Sequence, residues 1–337
     1  MILNKLQEKI DLKTKPLGSL GYLEKLALQI GTVQNTLSPS LQKPTILVFS
    51  ADHGIAKSGV SAYPPEVTYQ MVKNILNGGA AINVFCKQNN IDIQLIDSGV
   101  NFDFCDYNSL INAKIAKGTD NFLYRKAMTE QQLEQCISYG EKIIDQLFES
   151  NCNVVGFGEL GIGNTASAAI LMSYLCELPL EDCVGKGTGL TDQHLQNKIN
   201  ILKQAKQLHG EIFDTKEIVR TFAGFEIAQM SAAIIQAYKK NMLILIDGFT
   251  VTTAFLIAYK INPEIIKNAI FCHLSNEKAH YKLLEYLGVE AILKLNLRVG
   301  EGTGCAIAYP IIESAVNFLN NMASFESAEV SNKTTNK

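Results

Sequence analysis

Short apolar runs alternate with amphipathic helical patterns through most of the chain, and this alternation limits the folds that it can adopt. The strand-like runs are residues 45–49, 93–96, 153–155, 242–246 and 269–272, with 291–297 as a candidate sixth. Helical patterns cover residues 130–149, 166–175, 192–208, 225–239, 251–259 and 277–287. A helix between successive strands lets the chain return to the same edge of a sheet, so neighbouring strands run parallel. The sequence therefore predicts an α/β fold of three layers, α/β/α, with a mainly parallel sheet.

A glycine-rich segment follows the third predicted strand and opens a buried helix. Residues 156–166 read Gly-Phe-Gly-Glu-Leu-Gly-Ile-Gly-Asn-Thr-Ala. Glycines let the backbone approach a ligand closely, and free N–H groups of the first helical turn attract anions. The segment has no lysine, so it is not a Walker P-loop, and its spacing differs from the dinucleotide-binding fingerprint. It predicts an anion site that also contains one carboxylate, Glu159.

Two further glycine-rich loops extend this pattern. Residues 298–304 carry Glu301 between glycines, and residues 185–190 carry Lys186 and Thr188. Backbone N–H groups, a hydroxyl and one cation suit a phosphate. Two loops that each present one glutamate indicate an enzyme acting on a phosphate-bearing substrate.

Polar residues or glycines follow nearly every predicted strand. In open α/β sheets the ligand crevice lies beyond the carboxyl ends of the strands. The sequence therefore predicts a site along this rim, to which the strand ends contribute the following polar side chains: Asp52, His53, Asp97, Glu159, Asp247, His273 and Ser275.

The glycines around Glu301 predict a partly desolvated carboxylate. Desolvation raises the pKa of a carboxyl and makes it a better base near neutral pH. The alternative is that Glu301 only caps the helix that begins near Gly304. Glu159 has the same two interpretations, and it could also supply a fixed negative charge near a cationic transition state.

Two other functional classes stay open on these residues. Asp52, His53, Asp247 and His273 could bind a metal ion in a metal-dependent phosphate-transfer enzyme or phosphatase. The five histidines show no tight pairing motif, however, and no serine or threonine stands in a clear nucleophile setting. A non-catalytic nucleotide-binding protein would explain the glycine-rich loops but would leave Glu301 without a purpose.

The composition excludes several partners. A net charge of −3 without a basic stripe argues against nucleic acid binding. No apolar run reaches the roughly 20 residues that span a bilayer, which argues against a membrane protein. The eight cysteines are scattered without a CxxC pair, and the charged first residues do not form a signal peptide. We therefore expect reduced thiols and a cytoplasmic location.

Ten ordered motifs are similar to those of one known family. They are KPLGSLG (15–21), ADHG (51–54), GVSAYP with VT (59–68), GGAAIN (78–83), GELGIGNT (158–165), GTGL (187–190), GFEIA (224–228), DGF (247–249), HLS (273–275) and GEGTG (300–304). Over nearly its full length the chain resembles the nicotinate-nucleotide–dimethylbenzimidazole phosphoribosyltransferases of the cobalamin lower-ligand pathway. One departure bears on binding: Lys186 stands where the family commonly has arginine, and lysine cannot make a bidentate phosphate contact.

The resemblance implies an activity and an assembly. The activity is transfer of phosphoribose, with inversion, from nicotinate mononucleotide to 5,6-dimethylbenzimidazole or a related base. The products are α-ribazole 5'-phosphate and nicotinate. It further implies a homodimer that uses no cofactor and no metal. A small helical domain from residues 1–39 and 306–337 would flank a large α/β domain of residues 40–305, with the tail frayed from about residue 322.

The resemblance also distributes roles among the residues. Glu301 matches the family's proposed general base, and Glu159 is expected to stabilise the cation-like ribosyl centre. Asp247 is expected to hold nearby loops or the ribose, and Tyr63 and Gln70 to line a flat base pocket, although core packing would explain Tyr63 as well. Asp52 and His53 would form a hydrogen-bonded scaffold. The expected phosphate and ribose contacts are Gly161, Gly163, Asn164, Thr165, Gly187, Thr188 and Ser275.

Overall fold

Six strands form one sheet in the computed structural model, which describes residues 2–105, 107–185, 187 and 191–332. The strands are β1 (Thr45–Ala51), β2 (Asp92–Gly99), β3 (Leu110–Asn112), β4 (Val154–Leu160), β5 (Leu243–Ile246) and β6 (Ala269–Phe271). Their order across the sheet is β3-β2-β1-β4-β5-β6, and every neighbouring pair is parallel. The predicted parallel sheet is confirmed.

The helices of the described residues cover both faces of this sheet. They are α1 (Ile2–Asp11), α2 (Tyr22–Val33), α3 (Val67–Leu76), α4 (Ala81–Gln88), α5 (Glu130–Glu149), α6 (Asn164–Leu175), α7 (Leu180–Cys183), α8 (Asp192–His209), α9 (Thr215–Phe222), α10 (Phe225–Lys239), α11 (Phe249–Ile261), α12 (Lys278–Leu287) and α13 (Thr303–Asn321). The predicted helices 130–149 and 225–239 are confirmed at both ends. Short 3₁₀ helices occupy Gly54–Ser58 and Pro263–Asn268.

Two apolar layers hold the helices against the sheet. Side chains alternate between the faces of a strand, so Leu47 and Phe49 of β1 lie in one layer and Ile46 and Val48 in the other. The first layer includes α5, α6, α10 and α11, and the second includes α1, α2, α4 and α13. Strands buried on both faces explain the continuous apolar runs of the sequence. The predicted three-layer arrangement is confirmed.

The sixth strand differs from the prediction. Residues 291–297 form no strand; they run next to β6 and the residues after it, with an isolated parallel bridge between His273 and Leu293 and further backbone hydrogen bonds such as that from the Ile292 N–H to the Phe271 carbonyl oxygen. The sixth strand is instead β3, which pairs with β2 at the edge of the sheet. Its three residues are too few to produce a readable pattern, so neighbouring structure decides that they are extended.

The terminal helices pack together and also share a core with the sheet. Leu6, Ile30 and Ile312, from α1, α2 and α13, belong to the same apolar cluster as Ile46 of β1. We keep as a proposal that residues 1–39 and 306–337 form a small domain, supported by the contact of α2 with α1 and α13.

The chain after α13 is held by hydrogen bonds. Backbone bonds join Thr14 to Ala323 and Phe325 to Leu12. These bonds hold residues 323–325 next to residues 12–14, and fraying from about residue 322 stays a prediction. Within the described ranges, no helix is both long enough and apolar enough to cross a bilayer.

Candidate active site

The candidate site lies where the chain reverses its direction of travel across the sheet. From β1 the chain continues to β2 and β3 on one side, while β4 begins the other side. Such a switch point opens a crevice at the carboxyl ends of the two central strands. β1 ends there before Asp52 and His53, and Glu159 is the penultimate residue of β4.

A cavity at this edge brings most of the predicted residues together. Seven predicted residues line it: Glu159, Gly161, Asn164, Thr165, Gly187, His273 and Ser275. Glu301 and Asp247 lie just behind the lining, with exposed fractions of 5% and 1%. Thr188, like Lys186, lies outside the described residues.

Three further predicted residues, Gly163, Tyr63 and Gln70, are not among those that line this cavity. Gly163 is the N-cap of helix α6, with a φ of 99°. Tyr63 is 49% exposed and Gln70 is exposed on α3, so the alternative that Tyr63 packs in the core is wrong. Between them in sequence, the Thr68 hydroxyl accepts a hydrogen bond from the backbone N–H of Ile162 at 3.1 Å, which joins α3 to the loop after β4.

Glu301 occupies a left-handed stretch of backbone. The φ angles of Gly300, Glu301 and Gly302 are 78°, 61° and 79°. For a residue with a Cβ this conformation costs roughly 1–2 kcal/mol. Surrounding contacts must therefore stabilise it.

Asp247 supplies those contacts. Its two carboxylate oxygens accept hydrogen bonds from the N–H groups of Gly302 (3.1 Å) and Gly304 (2.7 Å). The Nε2 atom of His273 lies 3.2 Å from Oδ1. Asp247 at the end of β5 thus fixes the loop that carries Glu301 at the start of α13.

A glycine in β4 allows that loop to lie directly against the strand. A Cβ on Gly158 would come within 2.3 Å of the Gly302 nitrogen and 2.4 Å of the Glu301 carbonyl carbon. Glycine within a strand marks such a close backbone approach. The glycine-rich character of residues 156–158 therefore serves backbone packing as well as the anion-binding turn.

The carboxyl group of Glu301 has the environment of a base. Burial raises its pKa, and the nearby Asp247 carboxylate acts in the same direction, while a hydrogen bond from the backbone of Ile82 opposes them. Among the described residues Oε2 has no hydrogen-bond partner. The predicted desolvation is confirmed. The capping alternative is not, because Gly302 is the N-cap of α13 and makes no side-chain cap.

Glu159 has a pKa raised further, to about 8, by burial and then by the neighbouring carboxylates of Asp247 and Glu226. The side-chain amide of Asn164 donates a hydrogen bond to its Oε2 atom. A carboxyl with this pKa is mostly protonated at neutral pH. A cation placed against it would lower the pKa again, because opposite charges favour the ionised form.

A buried cation next to the cavity was missed in the sequence. Lys198 of α8 is 1% exposed, and its Nζ atom lies 3.0 Å from the Thr165 hydroxyl and 3.4 Å from the Gly185 carbonyl oxygen. Burial lowers its pKa to about 8. Lys198 follows Leu195 by three residues and precedes Leu202 by four. A lysine on the apolar stripe of a helix was the signal that could have revealed it.

Arg298 and Glu277 lie close to Lys198. Both line the cavity, and Arg298 is exposed at its surface. Burial raises the pKa of Glu277, whereas Lys198, the backbone N–H of Gly187 and Arg298 lower it. In this structure the Glu277 carboxylate is therefore the anionic group next to which Lys198, Arg298 and the Gly187 N–H lie.

The glycine-rich turn after β4 donates less to a ligand than predicted. The N–H of Ile162 is used by Thr68, and that of Asn164 by the carbonyl of Gly161 at 3.2 Å. Part of the turn's donor capacity therefore stabilises the protein itself, and side chains such as Lys198 must supply more of the anion binding.

The residues of the metal alternative form two separate pairs. His53 Nε2 lies 2.6 Å from Glu226, and both side chains are buried. His273 pairs with Asp247 on the other side of β4. Asp52 instead accepts a hydrogen bond from the backbone of Asn101 at 2.8 Å. In the part of the chain that the structure describes, no three His, Cys, Asp or Glu residues form a group that could hold a metal ion. The geometry favours the hydrogen-bonded scaffold that we predicted for Asp52 and His53.

Comparison with known proteins identifies close relatives over the whole length. A family model described as Phosphoribosyltransferase matches residues 1–330. The nicotinate-nucleotide–dimethylbenzimidazole phosphoribosyltransferase of Dechloromonas aromatica (strain RCB) is 53% identical over 331 residues, which are 97% of this chain and 95% of that protein. That of Parabacteroides distasonis is 43% identical over 326 residues, 96% and 94% of the two chains. The crystal structure of CobT from Thermus thermophilus has a TM-score of 0.94 at 35% identity, covering 98% of this chain and 99% of that one.

Proposed function

The chain belongs to this phosphoribosyltransferase family, and we propose that it transfers phosphoribose from nicotinate mononucleotide to 5,6-dimethylbenzimidazole or a related base. The relatives are named for this activity, and the alignments to them cover nearly the full chain. The alternatives of a metal-dependent phosphatase and a non-catalytic nucleotide-binding protein find no support in these relatives.

The observation that carries the proposal is that cations and carboxyl groups meet at the same cavity in two clusters. Lys198 and Arg298 act electrostatically on Glu277, next to Gly187, whereas Glu301 acts on Glu159. Nicotinate mononucleotide has a phosphate, a ribose and a pyridinium ring whose nitrogen is positive and which also carries a carboxylate. We place its phosphate near Lys198 and Arg298 and its positive ring nitrogen near Glu159 and Glu301, where the charges are complementary.

Each change of bonding can be assigned to a group. The bond between ribose C1' and the pyridinium nitrogen breaks, and its electron pair leaves with nicotinate as a neutral ring nitrogen. One nitrogen of the benzimidazole bonds to C1' from the opposite face, which inverts the anomeric carbon. The second ring nitrogen then gives its proton to the Glu301 carboxylate. No group has to protonate the leaving ring, so one base is enough.

Glu159 acts on the cationic centre. The pyridinium and the developing ribosyl cation both lower the pKa of a neighbouring carboxyl, so Glu159 becomes ionised as substrate binds. Its negative charge then stabilises the transition state. Asp247 keeps Glu301 in its left-handed conformation and acts through that loop.

The remaining site residues bind and orient the substrates. Lys198 and Arg298 attract the phosphate from the side of α8 and of the loop before α13, respectively. Tyr63 and Gln70 line the approach of the flat base. The predicted contacts to phosphate and ribose keep their assignment: Gly161, Gly163, Asn164, Thr165, Gly187, Thr188 and Ser275.

We further propose that the protein is a homodimer, which the family resemblance implies, and that it lies in the cytoplasm, which its cysteines favour. All eight cysteines are free thiols, and only Cys105 is exposed. Free thiols persist in reducing compartments. Light scattering after size-exclusion chromatography would measure the oligomeric state.

The test of the function is the release of nicotinate from nicotinate mononucleotide. It is measured with and without 5,6-dimethylbenzimidazole, and with and without EDTA, while NMR identifies the riboside. Base-dependent, EDTA-resistant release with an α-riboside phosphate product is expected. Release of inorganic phosphate that EDTA abolishes would favour the metal-dependent phosphatase instead. Tight binding of the mononucleotide without turnover of any flat nitrogen base would leave a nucleotide-binding protein.

A further inference from the structure

Ser275 is connected to a histidine that lies outside the cavity. Ser275 follows β6 and lines the cavity, whereas His280 of α12 has an exposed fraction of 0%. The Nδ1 atom of His280 lies 3.0 Å from the backbone nitrogen of Ser275 and 2.9 Å from its hydroxyl oxygen. The backbone N–H and the hydroxyl of Ser275 thus both lie within hydrogen-bond distance of one ring nitrogen.

The donors around His280 determine its tautomer. A backbone N–H can only donate, so Nδ1 must be the acceptor and the ring proton must be on Nε2. Nε2 then donates to the Thr252 hydroxyl at 2.9 Å, and that hydroxyl donates to the Gly248 carbonyl oxygen, also at 2.9 Å. The chain of hydrogen bonds therefore has a single direction, from Ser275 through His280 and Thr252 to the start of α11.

The charge state of His280 agrees with this direction. Burial lowers its pKa to about 3, and the nearby His273 contributes in the same sense. The ring is therefore neutral at neutral pH. A protonated ring would direct an N–H at the backbone N–H of Ser275.

We propose that His280 is a positioning residue for the transfer reaction, holding the backbone of Ser275 so that its hydroxyl can donate to the phosphate-bearing substrate. This inference rests on the proposed function. The lone pair of Nδ1 already receives the backbone N–H, so the Ser275 hydroxyl shares an occupied acceptor. Rotation about the Cα–Cβ bond exchanges this shared bond for a bond to a phosphate oxygen, which is stronger because the acceptor is charged.

Two substitutions of His280 distinguish its hydrogen bonds to Ser275 from its hydrogen bond to Thr252. In His280→Asn the side-chain oxygen lies near the position of Nδ1 and can still accept from Ser275. In His280→Gln the longer side chain reaches toward Thr252 and loses the acceptor near Ser275. We expect His280→Gln to raise the KM for nicotinate mononucleotide by about tenfold, the effect of about one hydrogen bond. The KM for the base should be unchanged, and His280→Asn should restore most of the loss.

A double-mutant cycle with Ser275→Ala provides the decisive measurement. If His280 acts through Ser275, His280→Gln adds little to the KM in the Ser275→Ala background. Additive effects, or equal loss in His280→Asn and His280→Gln, would show a merely structural role and overturn the proposal. Should His280→Gln fail to fold, Thr252→Val can be used instead, because it removes the hydrogen bond between Thr252 and Nε2 of His280. It should give a smaller rise that also disappears with Ser275→Ala; a rise that persists there counts against the proposal.

The wild-type enzyme in the same assay separates this inference from the proposed function. Absence of base-dependent nicotinate release by the wild type would contradict the function itself, and the inference with it. Normal wild-type turnover together with additive variants would contradict only the role of His280.

Discussion

The backbone N–H of Glu301 donates a hydrogen bond to the carbonyl oxygen of Glu159, 3.2 Å away. The two glutamates of the proposed mechanism are thus joined through their main chains, although Glu159 lies at the end of β4 and Glu301 in the loop before α13. A Cβ on Gly300 would lie 2.6 Å from Oε1 of Glu159, so the side chain of one loop packs on the backbone of the other. Movement of either loop would therefore move both carboxyl groups.

Replacing the base should reduce turnover without weakening substrate binding. Glu301→Gln removes the group that accepts the benzimidazole proton, and general-base catalysis contributes roughly 10²–10⁴-fold in rate. We expect kcat to fall within that range while the KM for nicotinate mononucleotide changes little. Nicotinate release measures both constants. Glu313→Gln, at an exposed position of α13, is the control. Full activity of Glu301→Gln would mean that another group, with Glu159 the next candidate, is the base.

Asp247→Asn should destabilise the loop of Glu301. The substituted amide offers one acceptor where the carboxylate satisfies two N–H groups, and its NH₂ group faces a donor. Hydrogen bonds to a charged group contribute about 1.5–3 kcal/mol, so the free energy of unfolding should fall by about that amount. Urea denaturation measures it, with the surface variant Asp103→Asn as the reference. kcat should fall in parallel, and a variant that loses stability but keeps full kcat would argue against the positioning role.

Lys198→Met should weaken binding of the mononucleotide selectively. Methionine retains the apolar length of the side chain on α8 and removes the charge that faces Thr165 and Gly185. Loss of one charge-assisted hydrogen bond of about 1.5–3 kcal/mol should raise the KM for the mononucleotide by roughly 10- to 100-fold. The exposed Lys203→Met on the same helix should leave it unchanged. A larger effect on the KM for the base would place the phosphate elsewhere.

Glu159 should make the folded protein less stable as pH rises. Its pKa changes from an ordinary 4.5 to about 8 on folding, so between these values the folded state binds the proton more tightly than the unfolded state. Stability from this group is therefore present below the unfolded pKa and lost as pH rises through the folded pKa. Glu159→Gln removes the dependence.

The measurement is the free energy of unfolding of wild type and Glu159→Gln across this pH interval. As pH rises from about 4.5 to about 8, the free energy of unfolding of Glu159→Gln should increase relative to that of the wild type. Glu313→Gln should show no such trend. A difference that is constant with pH would mean that Glu159 titrates normally in the folded protein.

Local patterns predicted most of the fold because strands and helices have different periods of apolar residues. Strands buried on both faces give apolar runs, and the helices between them require parallel pairing. The edge strand β3 escaped this reasoning, since three residues carry too little pattern and their extended conformation depends on pairing with β2. The interval 291–297 has an apolar pattern, but its backbone hydrogen bonds to residues 271–276 form one isolated bridge and no continuous strand.

The sequence by itself determined the parallel α/β fold, the rim that holds the site and the glycine-rich loops that carry Glu159 and Glu301. Only the tertiary structure decided that Lys198 lies next to Thr165, that Asp247 bonds to the Glu301 loop rather than being free for the ribose, and that His280 bonds to Ser275. The physical reason is one of range. Periodicity and turn chemistry act between neighbours in sequence and are visible in the chain. Desolvation, pKa shifts and side-chain hydrogen bonds depend on groups that meet only after folding.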